Sequence, residues 1–489
     1  LQLIPRFCAF VVFRMQTGQA CHIVQAPGIA AHFHNNETMK TAIKLTALAT
    51  ALACATIASQ ASFAQPPAQS PASGVVTEQR QVGAFSAIEL GGPYRVVIDA
   101  EARQAVQVSG ERKQLDEMEV AVRGDTLVVR PVQKLGFSFN FRRHQDIPTV
   151  TIGAAGLKSL RMSGSGDVEL AHAGGERFTL VNSGPGDLHA GGAVRQLVVE
   201  SSGSGDLDLR SLKAGDADVT LHGPGDVRLA GNGDMGRLNV QLSGSGDLTA
   251  DGLRAAQVTA RLRGPGDLKL SGSSRELSLE SSGSGDFEGC DLQVEGVRTV
   301  QRGPGNACIA GNIRKFEAEV HGSGELHARG LQAAAGQLRL SGPGNAELAG
   351  SIGDLNVEVS GSGDLNGDNL KVRKAVVRSR GPGGVKLQNV ADTLDAELHG
   401  SGGLSAAMSG KRLLLRMDGP GDARIEGSVA QVSAQINGSG SLEGRRLSVG
   451  ETDIMVRGPG SAAVNLVGKD GKGKADLLVD RSGSHRSAL

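Results

Sequence analysis

Aromatic side chains are nearly absent: 489 residues contain no tryptophan, a single tyrosine at Tyr94 and twelve phenylalanines. Sugar-binding grooves tend to use ring faces, so this scarcity argues against a carbohydrate-active enzyme of the β-helix type. Net charge is missing too, with 51 basic residues against 51 acidic ones. A balanced chain of this kind has no electrostatic reason to need nucleic acid or an anionic membrane as an obligatory partner. No apolar run beyond the leader is long enough to read as a membrane span. Cysteine is sparse: Cys8, Cys21 and Cys54 lie in or before the leader, which leaves Cys290 and Cys308.

Glycine is what the chain has instead, 71 residues of it, together with 39% hydrophobic residues. That composition describes a turn-rich protein with a thin aliphatic core and not a disordered chain. The glycines are ordered. A tetrapeptide Gly-Ser-Gly-x or Gly-Pro-Gly-x occurs 16 times, from Gly164 to Gly458, at intervals of 19 to 21 residues, and its second residue alternates Ser, Pro, Ser, Pro without a break. Between copies the chain alternates apolar and polar, as in Leu238-Asn239-Val240-Gln241-Leu242, which is the two-residue period of a strand with one buried face.

Proline fits the second position of a type II turn and glycine the third, where φ is positive. The tetrapeptide therefore reads as a strand-to-strand corner. One half-unit of about 20 residues cannot bury its apolar face alone, so copies must stack. The expected fold is all-β: a β-solenoid of the right-handed parallel β-helix type, built from 16 half-units, with an N-terminal β cap. Two coil lengths fit. A coil of two half-units puts serine in one column and proline in another, so that like stacks on like; a coil of one half-unit is nearer the usual repeat length.

The segments outside the repeat have their own signatures. Residues 39–64, "MKTAIKLTALATALACATIASQASFA", have two lysines ahead of an apolar run and small residues flanking Phe63, the pattern of an export signal cleaved after Ala64. Residues 1–38 then read as an over-extended gene start. Lipidation of Cys54 is the rival reading, although Leu52 stands one place too close to it. Residues 65–79 read as a flexible linker, 80–160 as strands that cap the solenoid, 161–468 as the repeats and 469–489 as a polar tail.

The stretch "RQVGAFSAIELGGPYRVVIDAEARQAVQVSGERKQLDEMEVAVRGDTLVVRP", followed by "IPTVTIGAAGLKSLRMSGSGDVEL" and the further "GSGDL" copies, resembles the bacterial family of auto-transporter adhesin head (GIN) domains, formerly a domain of unknown function. The resemblance spans about residues 80–465. It implies an exported β-solenoid acting in adhesion or at the envelope, and it brings no catalytic residues. The polar tail does not read as the series of alternating strands that a membrane barrel requires.

Candidate sites are few. Asp167, Asp187, Asp206, Asp226, Asp247, Asp267 and Asp286 fill the fourth tetrapeptide position. They are calcium candidates, against the plainer reading that turn carboxylates accept backbone hydrogen bonds. His222, His321 and His399 read as exposed turn flanks. Arg263, Arg302, Arg380 and Arg457 each precede Gly-Pro-Gly and form a column that suits an anionic polymer, against a solvated edge that blunts aggregation. Phe137, Phe139 and Phe141 on one strand face close the apolar end of the solenoid or form a docking patch. Cys290 and Cys308 can form a disulfide between adjacent coils if the short coil is right.

No catalytic residue, cofactor or metal is assigned. The expectation is an exported non-enzymatic module that meets an envelope or extracellular polymer or protein, in the periplasm or on the outer surface of a bacterium. The alternatives are a purely structural envelope protein and a β-helix carbohydrate-active enzyme.

Overall fold

Alternating apolar residues build a single stack of coils. The computed structural model describes residues 74–132, 147–231, 233–467, 474–480 and 483–487, and nearly all of them are strand. They form a parallel β-solenoid of about 15 turns. Along one inward column Leu188 pairs with Leu207, Leu207 with Val227, Val227 with Leu248 and Leu248 with Leu268, each partner one tetrapeptide further on. The coil is therefore one half-unit of about 20 residues, and serine and proline stack alternately in the same column. The idea that like must stack on like fails because the second tetrapeptide residue is exposed. It packs against nothing that could tell serine from proline.

Most coils are one long strand, such as Leu207–Leu221 or Leu268–Ser281, bent once in the middle and closed at the tetrapeptide. The bend is where register shifts and where positive φ is found, at Gly192 (φ 135°), Gly272 (φ 113°) and Gly350 (φ 129°). None of the third-position tetrapeptide glycines has positive φ, so the type II turn expected there is not formed. A different force keeps those glycines. Both tetrapeptide glycines are buried in most coils, and a Cβ on Gly246 would fall on the carbonyl oxygen of Gly225 one coil below. Close approach of backbone to backbone is the requirement, and the Gly246 amide uses it to donate to the Gly223 carbonyl at 3.1 Å.

The Ser/Pro alternation marks two kinds of coil that complement each other. From Phe287 onward the two inward positions after Gly-Ser-Gly run large then small: Phe287 and Gly289, Leu326 and Ala328, Leu365 and Gly367, Leu404 and Ala406. After Gly-Pro-Gly they run small then large: Ala307 and Ile309, Ala346 and Leu348, Ala423 and Ile425. Register sets Ala328 between Ile309 and Leu348, so each bulky side chain fills the space its neighbours leave. A Cβ on Gly367 would meet Leu387 Cδ2 at 2.9 Å.

Charge follows the same rule. Arg261, Arg339 and Arg378 end coils of the serine kind, and Glu280, Glu358 and Glu397 end the proline coils beside them. The pairs meet at 3.8, 3.0 and 3.5 Å. The 39-residue sequence period is thus a two-coil period of volume and charge.

At the N-terminal end, Ala87–Leu90 lies parallel between Thr126–Pro131 and Ser159–Met162, and Arg95–Asp99 lies parallel between Thr149–Gly153 and Val168–Asn182. Beyond these the pairing turns antiparallel, with Met118–Arg123 on Thr126–Pro131, Ala105–Gly110 on Thr149–Gly153 and Val76–Arg80 outermost. The C-terminal end also turns antiparallel. Lys474–Asp480 folds back on Ser461–Val467, and Ser484–Ser487 pairs with the second half of Ser441–Val456. Residues 469–489, polar enough to read as a tail, thus contribute two strands. The expected export signal, Cys54, most of the expected linker and Phe137, Phe139 and Phe141 lie outside the described residues.

Cys290 and Cys308 are joined across the strands Phe287–Gln301 and Ala307–Val320, with Cα atoms 5.1 Å apart at a sequence separation of 18. Adjacent coils of about 20 residues bring them together, and the bond crosses a break in the ladder between Gly289 and Gln293. Replacing both by serine is expected to lower unfolding stability by about 3 kcal/mol for a loop of this length. Denaturant titration checks it: equal midpoints with and without reductant would mean that the bond contributes nothing.

Candidate interaction surface

The tetrapeptide edge carries the aspartate column. From Asp187 onward each carboxylate accepts a hydrogen bond from the backbone amide at the same position one coil on: Asp187 from Asp206 at 2.8 Å, Asp206 from Asp226 at 3.0 Å, Asp226 from Asp247 at 3.0 Å and Asp247 from Asp267 at 2.8 Å. Asp286 accepts from Asn306 at 2.7 Å, and Asn306 in turn accepts from Glu325. Asn and Asp therefore serve equally well here, because only an acceptor oxygen is needed. Arg228 adds ion pairs to Asp206 and Asp226, both at 3.2 Å. Among the described residues no group of three histidines, cysteines or carboxylates gathers where a metal ion would sit.

Arg263, Arg302, Arg380 and Arg457 are all exposed beside this edge. They do not form a continuous stripe, since Ser282 separates Arg263 from Arg302 and His321, Ser341 and Ser360 separate Arg302 from Arg380. Arg302 is held by Glu280 at 2.7 Å and Arg380 by Glu358 at 2.8 Å. The histidines in the column bridge coils: His321 Nδ1 lies 2.5 Å from Ser341 Oγ, and His399 Nδ1 lies 3.1 Å from Asp418.

A second surface lies on the sheet face that follows the mid-coil bend. There a groove of about 1100 Å³ crosses seven strands, from Gln257 to Arg378. Its depth comes from missing side chains. Gly296 stands between Glu276 and Lys315 in one outward column, and Ala335 pairs with Asp354 in the same column. Glu276 reaches across Gly296 to Lys315 at 3.0 Å, and Arg298 pairs with Glu317 at 3.4 Å. Asp354 is taken by Arg373 at 2.5 Å.

Perturbed ionisation is found elsewhere. The Arg210 guanidinium, hydrogen-bonded to Asp208 at 2.6 Å, holds that carboxyl well below the usual carboxylate range. Tyr94, 4% exposed, is pushed up to about 12 by burial first and by the charge of Glu117 second. A raised phenol means that the fold favours the neutral form. This contribution to stability is present below the unfolded value near 10 and is lost as pH rises towards about 12. Tyr94 is the only tyrosine, so absorbance at the tyrosinate band reads it alone. The expected midpoint is about 12 in the folded protein and near 10 in denaturant. A native midpoint near 10 would contradict the burial account.

Residues 84–236, 225–312, 309–406 and 388–475 match the family described as "Putative auto-transporter adhesin, head GIN domain". The chain belongs to this family. Similar solved structures include a putative lipid binding protein from Parabacteroides distasonis, with 17% identity, covering 61% of this chain and 96% of that one at a TM-score of 0.28. A putative adhesin from Bacteroides fragilis has 19% identity, covers 60% of this chain and 98% of its own, and has a TM-score of 0.23. No curated protein matches the sequence.

Within this GIN-domain chain the sequence pointed to the Asp and Arg columns and missed the groove. Its signal was present as the small residues Gly296 and Ala335. They become a feature only once the coil length shows that they sit in one outward column.

Proposed function

We propose that this GIN-domain protein is an exported, non-enzymatic solenoid that acts as an adhesin or as a cell-envelope interaction module, meeting a polymer or protein of an envelope or of the extracellular space. The observation that carries this reading is the family match, which runs from residue 84 to 475 and so takes in every repeat. An open groove along a stiff rod suits such a role, because it presents one continuous surface without needing to move. A purely structural envelope role is the second reading. It is favoured by the pairing of Arg302 and Arg380 with Glu280 and Glu358, which commits to coil-to-coil contacts two cations that a ligand would need. Beads coated with residues 65–489 separate the two: retention on bacterial or host cells supports adhesion, and beads that behave like uncoated ones support the structural role. Export is tested by fractionation, where a full-length chain found in the cytosol would overturn it.

A further inference from the structure

We infer that the groove between Gln257 and Arg378 is a binding site for an extended acidic oligosaccharide. The inference rests on the adhesive reading above and names its ligand class and site.

The groove lies on a sheet face, not at an edge. Its strands give their backbone amides and carbonyls to the coils on either side, so a peptide has no free edge to extend there. Recognition must come from side chains. The three carboxylates at the groove, Glu276, Glu317 and Asp354, are each neutralised by a cation of the chain itself. Arg314 and Lys374 also line it. Among the described residues neither has a carboxylate within ion-pair distance. They stand three coils apart, about 14 Å at the usual strand spacing, so an extended ligand with repeated negative charge reaches both.

Gln257, Gln337 and Asn356 line the same groove, and among the described residues no protein group hydrogen-bonds their amide side chains. Each amide both donates and accepts, which matches a hydroxyl that does the same. The floor beneath them is the sheet itself, whose inward side chains Leu277, Val297, Phe316 and Leu355 are buried in the core. A neutral glycan gripped by ring stacking is disfavoured by the absence of tryptophan and of any tyrosine beyond Tyr94. Single-stranded nucleic acid meets the same objection, since its bases stack on aromatic faces. Charge with amides is the recognition chemistry that remains.

The test uses residues 65–489 on an array of polygalacturonate, alginate, hyaluronate and chondroitin sulfate oligosaccharides, with neutral maltooligosaccharides and poly-glutamate as controls. The expected result is retention on at least one acidic glycan, weakened by added salt, with neither control retained. The double variant Arg314→Ala/Lys374→Ala is expected to bind about tenfold more weakly or worse, with an unchanged thermal midpoint because both side chains are exposed. Arg263→Ala/Arg457→Ala, outside the groove, should bind as the parent does. No retention on any acidic glycan, equal retention of poly-glutamate, or a groove variant that binds like the parent each overturns the inference. Coated beads keep the two readings apart. If the groove variant still attaches to cells, the groove assignment fails and adhesion stands; if the parent binds glycan through the groove but beads attach to no cell, the reverse holds.

Discussion

Gly246→Val breaks the rod in two: its unfolding is expected to separate into two transitions, and the coils flanking the substitution should lose more than about 4 kcal/mol. The cause is local and steric. The new Cβ falls on the Gly225 carbonyl oxygen, part of a backbone that is itself held by the coil below. Nothing flexible is available to move. In a stack where each coil contacts only its neighbours, one broken interface uncouples the halves on either side.

Ser245→Pro is the matched control. Ser245 is exposed, its amide has no partner among the described residues, and Pro224 and Pro265 occupy the same position on the adjacent coils. The expected change is neutral or a gain of roughly 0.4–1 kcal/mol from a stiffer unfolded chain. Scanning calorimetry of both variants decides the matter. A silent Gly246→Val would mean that the coils are not packed backbone to backbone at this corner.

Removing one coil should destabilise the protein more than removing two. Deleting residues 342–360 joins Ser341 to Gly361 and sets two coils of the serine kind face to face. Leu326 then stacks on Leu365, Ala328 on Gly367 and Arg339 on Arg378, which overpacks one layer, leaves a void in the next and juxtaposes like charges. Each fault alone costs on the order of 1–3 kcal/mol in a packed core, with up to about 1 kcal/mol more from the charges. Deleting 342–380 removes twice as much chain but restores alternation, since Arg339 then meets Glu397 as Arg378 does in the parent. Urea midpoints of the two deletions give the test. If the shorter deletion is the more stable, the two-coil period has no energetic content.

Much of this was legible beforehand. Strand type, stacking and the role of the tetrapeptide as a corner follow from Leu238-Asn239-Val240-Gln241-Leu242 and its many equivalents, because a two-residue apolar period has one structural solution. The family could be read from the segment that precedes the repeats. The reason for the glycines could not: positive φ and close backbone approach both select glycine, and only the position of Gly225 relative to Gly246 tells them apart. Coil length was ambiguous for a related reason. The sequence period is 39 residues and the structural one about 20, and the difference lies in Leu326 with Ala328 against Ala346 with Leu348, a contrast that acquires meaning only across a register. The groove depends on that register too, which is why Arg314 and Lys374 went unnoticed while the more conspicuous arginines before Gly-Pro-Gly did not.

The antiparallel strands at the two ends bear on a hazard common to every molecule of this geometry. Strands stacked in parallel at about 4.8 Å are the spacing of a cross-β fibre, and any raw end of such a stack is a template for another. Here an incoming parallel coil meets Met118–Arg123 at one end and Lys474–Asp480 at the other, strands that run the wrong way to continue the pattern, while Val76–Arg80 is set off from the stack by the antiparallel Ala105–Gly110. A fragment of residues 244–399 would have no such ends. It begins with a serine coil and finishes with a proline coil, so its last coil presents Val385, Leu387 and Glu397 to a first coil bearing Leu248, Ala250 and Arg261. Copies should add head to tail into filaments visible by electron microscopy, whereas residues 65–489 should remain single rods; a fragment that stays monomeric would mean that the ends are not what keeps this protein finite.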